Sequence, residues 1–333
     1  MRNASFDIVK ASLILLVVAG HIALGTLDEN LLRKVIYFFH MPLFIAITGY
    51  FVSSNLLAKS TADVLGKYWW RIILPYLLAF SVYSALVALL YFRDGTWLLV
   101  IGEGRLSFWQ SLFLYPYYHL WFVPAVIVYV LITKFLWHEK WNWLLLFAFF
   151  VLAVIYTFDP DYLASFSQLD YLGDKRFYCY YFYFAFGYFL NSKRYAFSLR
   201  IPVISLILAL LIFFYTENRW LSALLEVSAN CAIIFIVLRV CQVKSFSSRS
   251  LFAQLGRITL PIYLWHVLPI LVAKKAILQY GDFAYYMFTI VFTVVLIFVL
   301  LWLEKSRGLL ICSSMGLELL RLDELNCLAL NFR

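Results

Sequence analysis

Long apolar runs alternate with short polar connections along the whole chain. Each run is continuous and about twenty residues long, which is the length that an α-helix needs to cross roughly 30 Å of hydrocarbon. Strands of a membrane barrel would instead alternate polar and apolar residues over about ten positions. Because only helices and closed barrels satisfy all their backbone hydrogen bonds in lipid, the pattern predicts an all-α, polytopic bundle of transmembrane helices.

The hydrophobic pattern predicts about ten spans, and an even number places both termini on one side of the membrane. The first run has no clear small-residue cleavage site and many similar runs follow it, so it is interpreted as a retained span rather than a signal peptide. The remainder after residue 303 has helical periodicity with interspersed charges. It predicts a cytoplasmic or interfacial amphipathic tail over 304–333, after a membrane domain over 1–303. The predicted spans are 7–26, 35–56, 71–92, 119–137, 142–158, 176–190, 200–216, 220–238, 257–273 and 284–303.

Composition and charge agree with a lipid environment. Of the 333 residues, 65% are hydrophobic and 14% are charged, whereas soluble domains are about 45–50% apolar and about 25% charged. Lysine and arginine are about twice as frequent on the side of the two termini, which predicts that both termini are cytoplasmic. The net charge of +9 follows from this topology and from anionic lipid, and it does not imply binding to nucleic acid.

Histidines inside the apolar runs are the first candidates for chemistry, because an ionisable group at membrane depth indicates function. His21 lies eleven residues after Lys10, roughly 16 Å further along the helix and on nearly the same face. His266 has a similar predicted depth, and His40 and His119 lie nearer the outer ends of their spans. Imidazole titrates near neutrality and suits general-base catalysis. The alternative is hydrogen bonding that only holds the helices together.

A metal site is another alternative for these histidines. No HxxxH or HxxE pair occurs within one helix and no cysteine accompanies the histidines, so we predict no metal. Glu226 lies in the eighth span, one turn before Asn230. Its carboxyl is predicted to pair with a histidine or an outer cation, or else to serve packing.

Two cations mark the start of the third span. Lys67 and Arg71 are four residues apart and share a helix face at the predicted cytoplasmic surface. Lysine and arginine at close quarters recognise phosphate groups. Together with Lys10, these residues are candidates for holding an anionic substrate from the cytoplasm.

Five stretches carry a resemblance to a known family. They are DIVKASLILLVVAGHI, FFHMPLFIAITGYF, WWRIILPYLLAF, HLWFVPAVIVYVL and LGRITLPIYLWHV. In this order they resemble the membrane-bound acyltransferase family 3, the O-acyltransferases of bacterial cell-envelope glycans, and within it sugar O-acetylases of the fucose-acetylase kind. The resemblance covers residues 5–303. The family often has arginine at the position of Lys10, and often paired arginines ahead of the third-span proline.

The resemblance implies a multi-pass protein of the bacterial inner membrane. It would transfer an acyl group, with acetyl favoured, from cytoplasmic acetyl-CoA to a sugar hydroxyl of an envelope polysaccharide or its lipid-linked precursor on the outer side. Acetyl-CoA would be a substrate, with no bound cofactor. The competing hypothesis is a transporter or flippase of polysaccharide intermediates. Transporters usually show inverted repeats and broken helices in matching positions, and no such pair is visible here.

The resemblance also implies roles for the candidate residues. Lys10, Lys67 and Arg71 would hold the phosphates of coenzyme A. His21 would deprotonate the acceptor hydroxyl, or would first take the acyl group itself. The residues implied on the acceptor side are His40, His119, His266 and Glu226, with Tyr37, Tyr117, Trp121 and Tyr263 as aromatic guides for the sugar.

Overall fold

The structure is a computed structural model that describes residues 4–27, 29–92, 120–138, 140–162, 173–193, 199–243, 246–247 and 250–314. Every regular element in these ranges is helical, so the predicted all-α class is confirmed for them. The predicted outer connection 93–118, with Tyr117, lies outside the described residues. So do His119 and the last part of the predicted tail, 315–333.

The described residues form helices and two short helical turns of other types. In chain order they are α1 (Ala4–Ile22), α2 (Leu31–Tyr50), α3 (Ser54–Leu57), α4 (Thr61–Tyr68), a π-helical turn (Trp69–Ile73), α5 (Leu74–Phe92), α6 (Phe122–Leu136), α7 (Asn142–Phe158), α8 (Arg176–Cys179), α9 (Tyr181–Lys193), α10 (Arg200–Tyr215), α11 (Arg219–Val243), α12 (Leu251–Arg257), α13 (Thr259–Trp265), α14 (Val267–Ala276), a 3₁₀ turn (Leu278–Tyr280) and α15 (Asp282–Ser314).

Five stretches of helix in the described residues are long and apolar enough to cross a membrane, and a sixth is added if the bent pair around residue 258 counts as one span. Together with the composition, they show that the chain is a membrane protein. The five are Ala4–Ile22, Leu31–Tyr50, Thr61–Leu86, Arg219–Val243 and Asp282–Ser306. Further apolar helices over 122–136, 142–158 and 200–212 are shorter, so the number of about ten spans stays a prediction.

The connection between α1 and α2 changes the predicted boundaries of the first two spans. Helix α1 ends at Ile22, not at residue 26, and the following Gly25 has φ +89°, a conformation that glycine adopts without strain. Thr26 N donates to Glu29 Oε2 over 2.8 Å, which lowers the pKa of the Glu29 carboxyl. The Asn30 side chain then caps α2 at Arg33 N. As a result, His21 lies in the last turn of α1, one residue before the helix ends.

The predicted ninth span is broken. Helix α12 ends at Arg257, and the chain bends by 67° before it continues over Thr259–Ala276. Pro261 explains the break, because it has no N–H to donate to the Arg257 carbonyl four residues earlier. Thr259 Oγ1 instead donates to Gly256 O over 2.7 Å. The last predicted span also differs, since α15 continues without a break past residue 303 to Ser314.

Glycines allow the central helices to approach closely. A Cβ on Gly49 of α2 would lie 2.0 Å from the Phe184 carbonyl oxygen of α9, and a Cβ on Gly187 of α9 would lie 2.0 Å from the Ala46 carbonyl oxygen. Helices α1 and α12 meet in the same way, since a Cβ on Gly256 would lie 1.9 Å from Asp7 O. Small residues at such crossings are typical of helix packing in membranes. These contacts fix α1, α2 and α12 around the site.

Candidate functional site

A cavity of about 550 Å³ opens beside the break between α12 and α13. We call it the basic cavity, because four cationic side chains line it: Lys10, Lys67, Arg71 and Arg257. The first three are the predicted donor-side cations, which the fold brings together from α1, α4 and the π-helical turn. The fourth, Arg257, was not predicted from the sequence as a donor-side residue. Its position just ahead of a helix-breaking proline was the available signal.

The charge of the basic cavity is only partly neutralised. Lys10 Nζ lies 2.8 Å from Asp7 Oδ1, and Arg257 Nε lies 3.5 Å from Glu304 Oε1. In the described part of the chain, no carboxylate lies within ion-pair distance of Lys67 or Arg71. These two residues therefore give the cavity a net positive charge that suits an anionic ligand.

The cation at position 71 lies in an unusual helical segment. Arg71 is the central residue of the π-helical turn Trp69–Ile73, which joins α4 to α5. π-Helical turns are rare in proteins, and those that do occur are often located at functional sites. Lys67 is in the last turn of α4, directly before this segment. The two cations thus line one cavity, although they belong to two different helical segments, α4 and the π-helical turn.

A row of aromatic rings leads away from the basic cavity. Tyr263 lines the cavity, and its ring centroid lies 6.2 Å from that of His266. The His266 ring lies 5.2 Å from the His21 ring, and His21 lies 6.2 Å from the Tyr37 ring. Tyr37 in turn lies 5.0 Å from His40. Three of the four histidines predicted for the site therefore form one cluster.

Backbone carbonyls fix the tautomers of two of these histidines. His266 is fully buried, and its Nδ1 lies 2.8 Å from Tyr263 O. His40 is also buried, with Nδ1 2.6 Å from Ile36 O. Because a carbonyl oxygen can only accept a hydrogen bond, Nδ1 carries the hydrogen in both neutral rings and Nε2 is the acceptor nitrogen.

His21 differs from the other two histidines. It is half-buried, and its ring makes no hydrogen bond to any residue that the structure describes. The end of α1 that carries it is held by α15, where Tyr285 Oη donates to Ile22 O over 3.1 Å. Leu24 N donates to Tyr286 Oη, also over 3.1 Å. His21 therefore has a fixed backbone and an imidazole whose nitrogens are available to a substrate.

A second cavity, of about 630 Å³, is connected to the histidine cluster through Tyr37, which lines it and contacts His21 and His40. We call it the tyrosine cavity, because Tyr37, Tyr156, Tyr180 and Tyr183 line it. Glu226 of α11 also lines it, together with Lys34 and mainly apolar side chains. Tyr37 belongs both to this cavity and to the row of rings. A Cβ on Gly20, which precedes His21, would lie 2.9 Å from the Tyr37 ring, so the glycine leaves the space that this ring occupies.

Pro42 lies in the middle of α2. It has no N–H to donate to the Phe38 carbonyl four residues earlier. Asn230 of α11 supplies a donor, since its Nδ2 donates to Phe38 O and to Glu226 O, over 3.0 Å in each case. This pair, which sequence reasoning missed, ties α11 to α2 just beside His40.

A double-mutant cycle tests the tie between Asn230 and Pro42. Asn230→Ala is expected to destabilise the protein by about 1–3 kcal/mol, because a buried carbonyl loses its donor. In the Pro42→Ala background the same change should be less destabilising, since the alanine backbone supplies the missing N–H. Thermal unfolding in detergent measures both values. Ser228→Ala, at an exposed position of the same helix, is the control and should show no coupling to Pro42→Ala; additive effects of Asn230→Ala and Pro42→Ala would contradict the assignment.

Two of the predicted aromatic guides, Trp121 and Tyr263, do not line the tyrosine cavity. Trp121 is 7% exposed and packs against the Tyr180 ring at 5.5 Å, so it supports the wall of the tyrosine cavity from behind. Tyr263 lines the basic cavity and not the tyrosine cavity.

Within the described residues, no three histidine, cysteine or acidic side chains lie close enough together to bind a metal ion. The absence of a metal stays a prediction.

Comparison with known proteins identifies the class to which this fold and site belong. The family model of the acyltransferase domain matches residues 3–302. The chain therefore belongs to this acyltransferase family, and the resemblance seen in the five motifs is confirmed at that level.

Among individual proteins, the chain is similar to two nodulation proteins named NolL. It is 34% identical over 142 residues to that of Sinorhizobium fredii, an alignment that covers 40% of this chain and 36% of the relative. With that of Mesorhizobium japonicum it shares 44% identity over 84 residues, covering 23% of this chain and 22% of the relative. The chain thus spans about a third or less of the length of these relatives. No solved structure matches it.

Proposed function

We propose that this protein is an O-acetyltransferase that crosses the bacterial inner membrane several times, with both termini in the cytoplasm. It transfers the acetyl group of cytoplasmic acetyl-CoA to a hydroxyl of a sugar, in an envelope polysaccharide or its lipid-linked precursor, at the outer side. One observation carries the proposal: the contact between His21 and His266 lies between a basic cavity and a tyrosine cavity. Membership of the acyltransferase family supports the class of reaction.

The basic cavity fits the donor. Coenzyme A carries phosphate groups, and Lys67 and Arg71 provide positive charge that no described carboxylate neutralises. Phe44, Phe122 and Tyr263 also line the cavity and provide an apolar surface suited to the thin pantetheine arm. The thioester at the end of that arm would then lie beside Tyr263, the ring next to His266.

The histidine cluster fits the chemistry. His21 takes the proton of the acceptor hydroxyl, and the hydroxyl oxygen attacks the thioester carbonyl carbon. The carbon–sulfur bond breaks, coenzyme A leaves as the thiolate, and the proton held by His21 passes to that thiolate. His266 Nε2 is an acceptor nitrogen, so it can receive a hydrogen bond from the second N–H of the His21 imidazolium. The buried rings of His266 and His40 exclude water around the reacting atoms.

Release of thiol from acetyl-CoA by the purified protein tests this function. With a glycan acceptor present, we expect thiol release and acetylated glycan in equal amounts, because one bond breaks for each bond formed. Binding and movement of glycan across a vesicle membrane without any thiol release would contradict the proposal and would favour a transporter.

Charge reversal in the basic cavity tests the donor site. Lys67→Glu is expected to raise the KM for acetyl-CoA at least about ten-fold, since contacts with a charged group contribute about 1.5–3 kcal/mol. The KM for the acceptor should stay unchanged. The matched control is Lys59→Glu, an exposed lysine that does not line the cavity. Equal donor KM values for the two variants would remove Lys67 from the donor site.

A further inference from the structure

We propose that the tyrosine cavity is the acceptor pocket, that it binds an uncharged sugar ring, and that Glu226 is the residue that anchors the hydroxyl groups of that ring. This inference rests on the proposed function and gives it a substrate class and a site. The pocket would bind the same ring whether a polysaccharide or a lipid carrier bears it.

The wall of the cavity is built for a sugar. The Tyr156 and Tyr180 rings meet edge to face with centroids 5.6 Å apart, and the Tyr180 and Tyr183 rings are tilted with centroids 5.9 Å apart, so the three rings form an angled aromatic surface. Such a surface packs against the C–H groups of a sugar ring, while the phenol hydroxyls bond to its oxygens. Few polar groups in a largely apolar cavity are typical of a small-molecule site.

Glu226 is the second observation, independent of the aromatic wall. Its carboxylate lines the cavity and makes neither a hydrogen bond nor an ion pair with any residue that the structure describes. A carboxylate inside an apolar helix bundle is expensive and indicates function. Its backbone is fixed, because Asn230 Nδ2 donates to the Glu226 carbonyl. A carboxylate on this fixed backbone has two acceptor oxygens and is suited to receive hydrogen bonds from two neighbouring sugar hydroxyls.

The charge of the cavity favours a neutral ligand. Among the described lining residues, Glu226 and Lys34 are the only charged ones, and their charges are opposite. A uronic acid would bring a second negative charge close to Glu226, and an amino sugar would bring a second positive charge close to Lys34, so either would add a repulsion that a neutral sugar avoids. An uncharged ring can donate hydroxyl hydrogens to Glu226 and accept from Lys34.

Tyr37 connects the pocket to the chemistry. It lines the cavity, and its ring lies 6.2 Å from His21 and 5.0 Å from His40. A ring that packs on Tyr37 would therefore place one hydroxyl next to the proposed general base. The acetyl group arrives from the basic cavity, which contacts the histidine cluster through Tyr263 and His266.

Glu226→Gln tests the pocket, with purified protein and acetyl-CoA as donor. The probes are three neutral methyl hexopyranosides, a methyl glucuronide and a methyl glucosaminide. We expect the neutral glycosides to be the better acceptors and Glu226→Gln to raise their KM about ten-fold or more, with the KM for acetyl-CoA unchanged. Glu217→Gln, an exposed acid two residues before α11, is the control and should behave like the unchanged protein. An unchanged acceptor KM, or a preference for a charged sugar, would overturn the inference.

Thr157→Trp provides a second variant, which fills the cavity without changing its charge. Thr157 lines the cavity, so acceptor-dependent thiol release should be lost while the affinity for acetyl-CoA, measured by direct binding, stays unchanged. Tighter binding of hexyl glycosides than of methyl glycosides would indicate a lipid-linked acceptor, and equal binding would indicate a polysaccharide. Both results support the pocket.

If His21→Ala stops thiol release while Glu226→Gln and Thr157→Trp act normally, only this inference fails. If His21→Ala leaves thiol release unchanged, the proposed function fails.

Discussion

Acetyl transfer by the His21→Ala variant is expected to fall about 10²–10⁴-fold, the usual contribution of a general base. The KM for acetyl-CoA should change little, because His21 does not line the basic cavity. The reason lies in the placement of the ring. It contacts His266 and Tyr37 and keeps its nitrogens available between the two cavities. Thiol release and acetylated product, measured at saturating donor and acceptor, check this prediction.

His138→Ala is the matched control for His21→Ala. His138 is exposed in the short connection between α6 and α7 and lines neither cavity. Its removal should leave turnover within about two-fold, as is usual for surface changes. Similar losses in the two variants would mean that His21 acts on stability rather than on the reaction. Unfolding temperatures of both variants separate these cases.

Replacement of Gly49 by alanine is expected to destabilise the protein by roughly 3 kcal/mol or more, at the upper end of overpacking effects. The added Cβ would lie 2.0 Å from the Phe184 carbonyl oxygen, and the contacted atom belongs to the backbone of α9. Since Gly187 makes the reciprocal approach to α2, the two helices would have to separate. That movement would also displace His40 and Phe44. Thermal unfolding in detergent and the yield of monodisperse protein measure the effect.

Gly66→Ala is the control for Gly49→Ala. Gly66 lies within α4, and a Cβ placed on it would meet nothing within 4 Å. Alanine is favoured over glycine in a helix by about 1 kcal/mol, so this variant should be unchanged or slightly more stable. Comparable destabilisation by the two substitutions would contradict the close approach of α2 and α9 at Gly49.

The sequence was sufficient to predict the class of protein and some individual residues of the candidate site. Continuous apolar runs can only be helices in lipid, and an imidazole within such a run is expensive enough to indicate function. His21, Lys67 and Arg71 could therefore each be recognised as candidate site residues, one at a time. The five motifs were specific enough to indicate the family, because together they extend over most of the chain.

Boundaries and bends were less predictable. A hydropathy pattern shows that a helix exists, but it does not show where the helix stops inside apolar sequence. The end of α1 at Ile22 depends on tyrosines of α15, which lie more than 250 residues away in sequence. Pro261 was a visible signal for the break after Arg257, yet the surrounding residues are so apolar that the run resembled one continuous span.

What the sequence determined by itself was local: apolar helices, the titratable rings within them and the cations at their ends. Only the tertiary structure decided which of these groups meet. With 24 tyrosines and 11 tryptophans in the chain, composition gave no means of separating Tyr37 and Tyr156, which line a cavity, from Trp121, which packs behind one. The physical reason is that helix formation depends on neighbours along the chain, whereas a cavity forms between helices that are far apart in sequence.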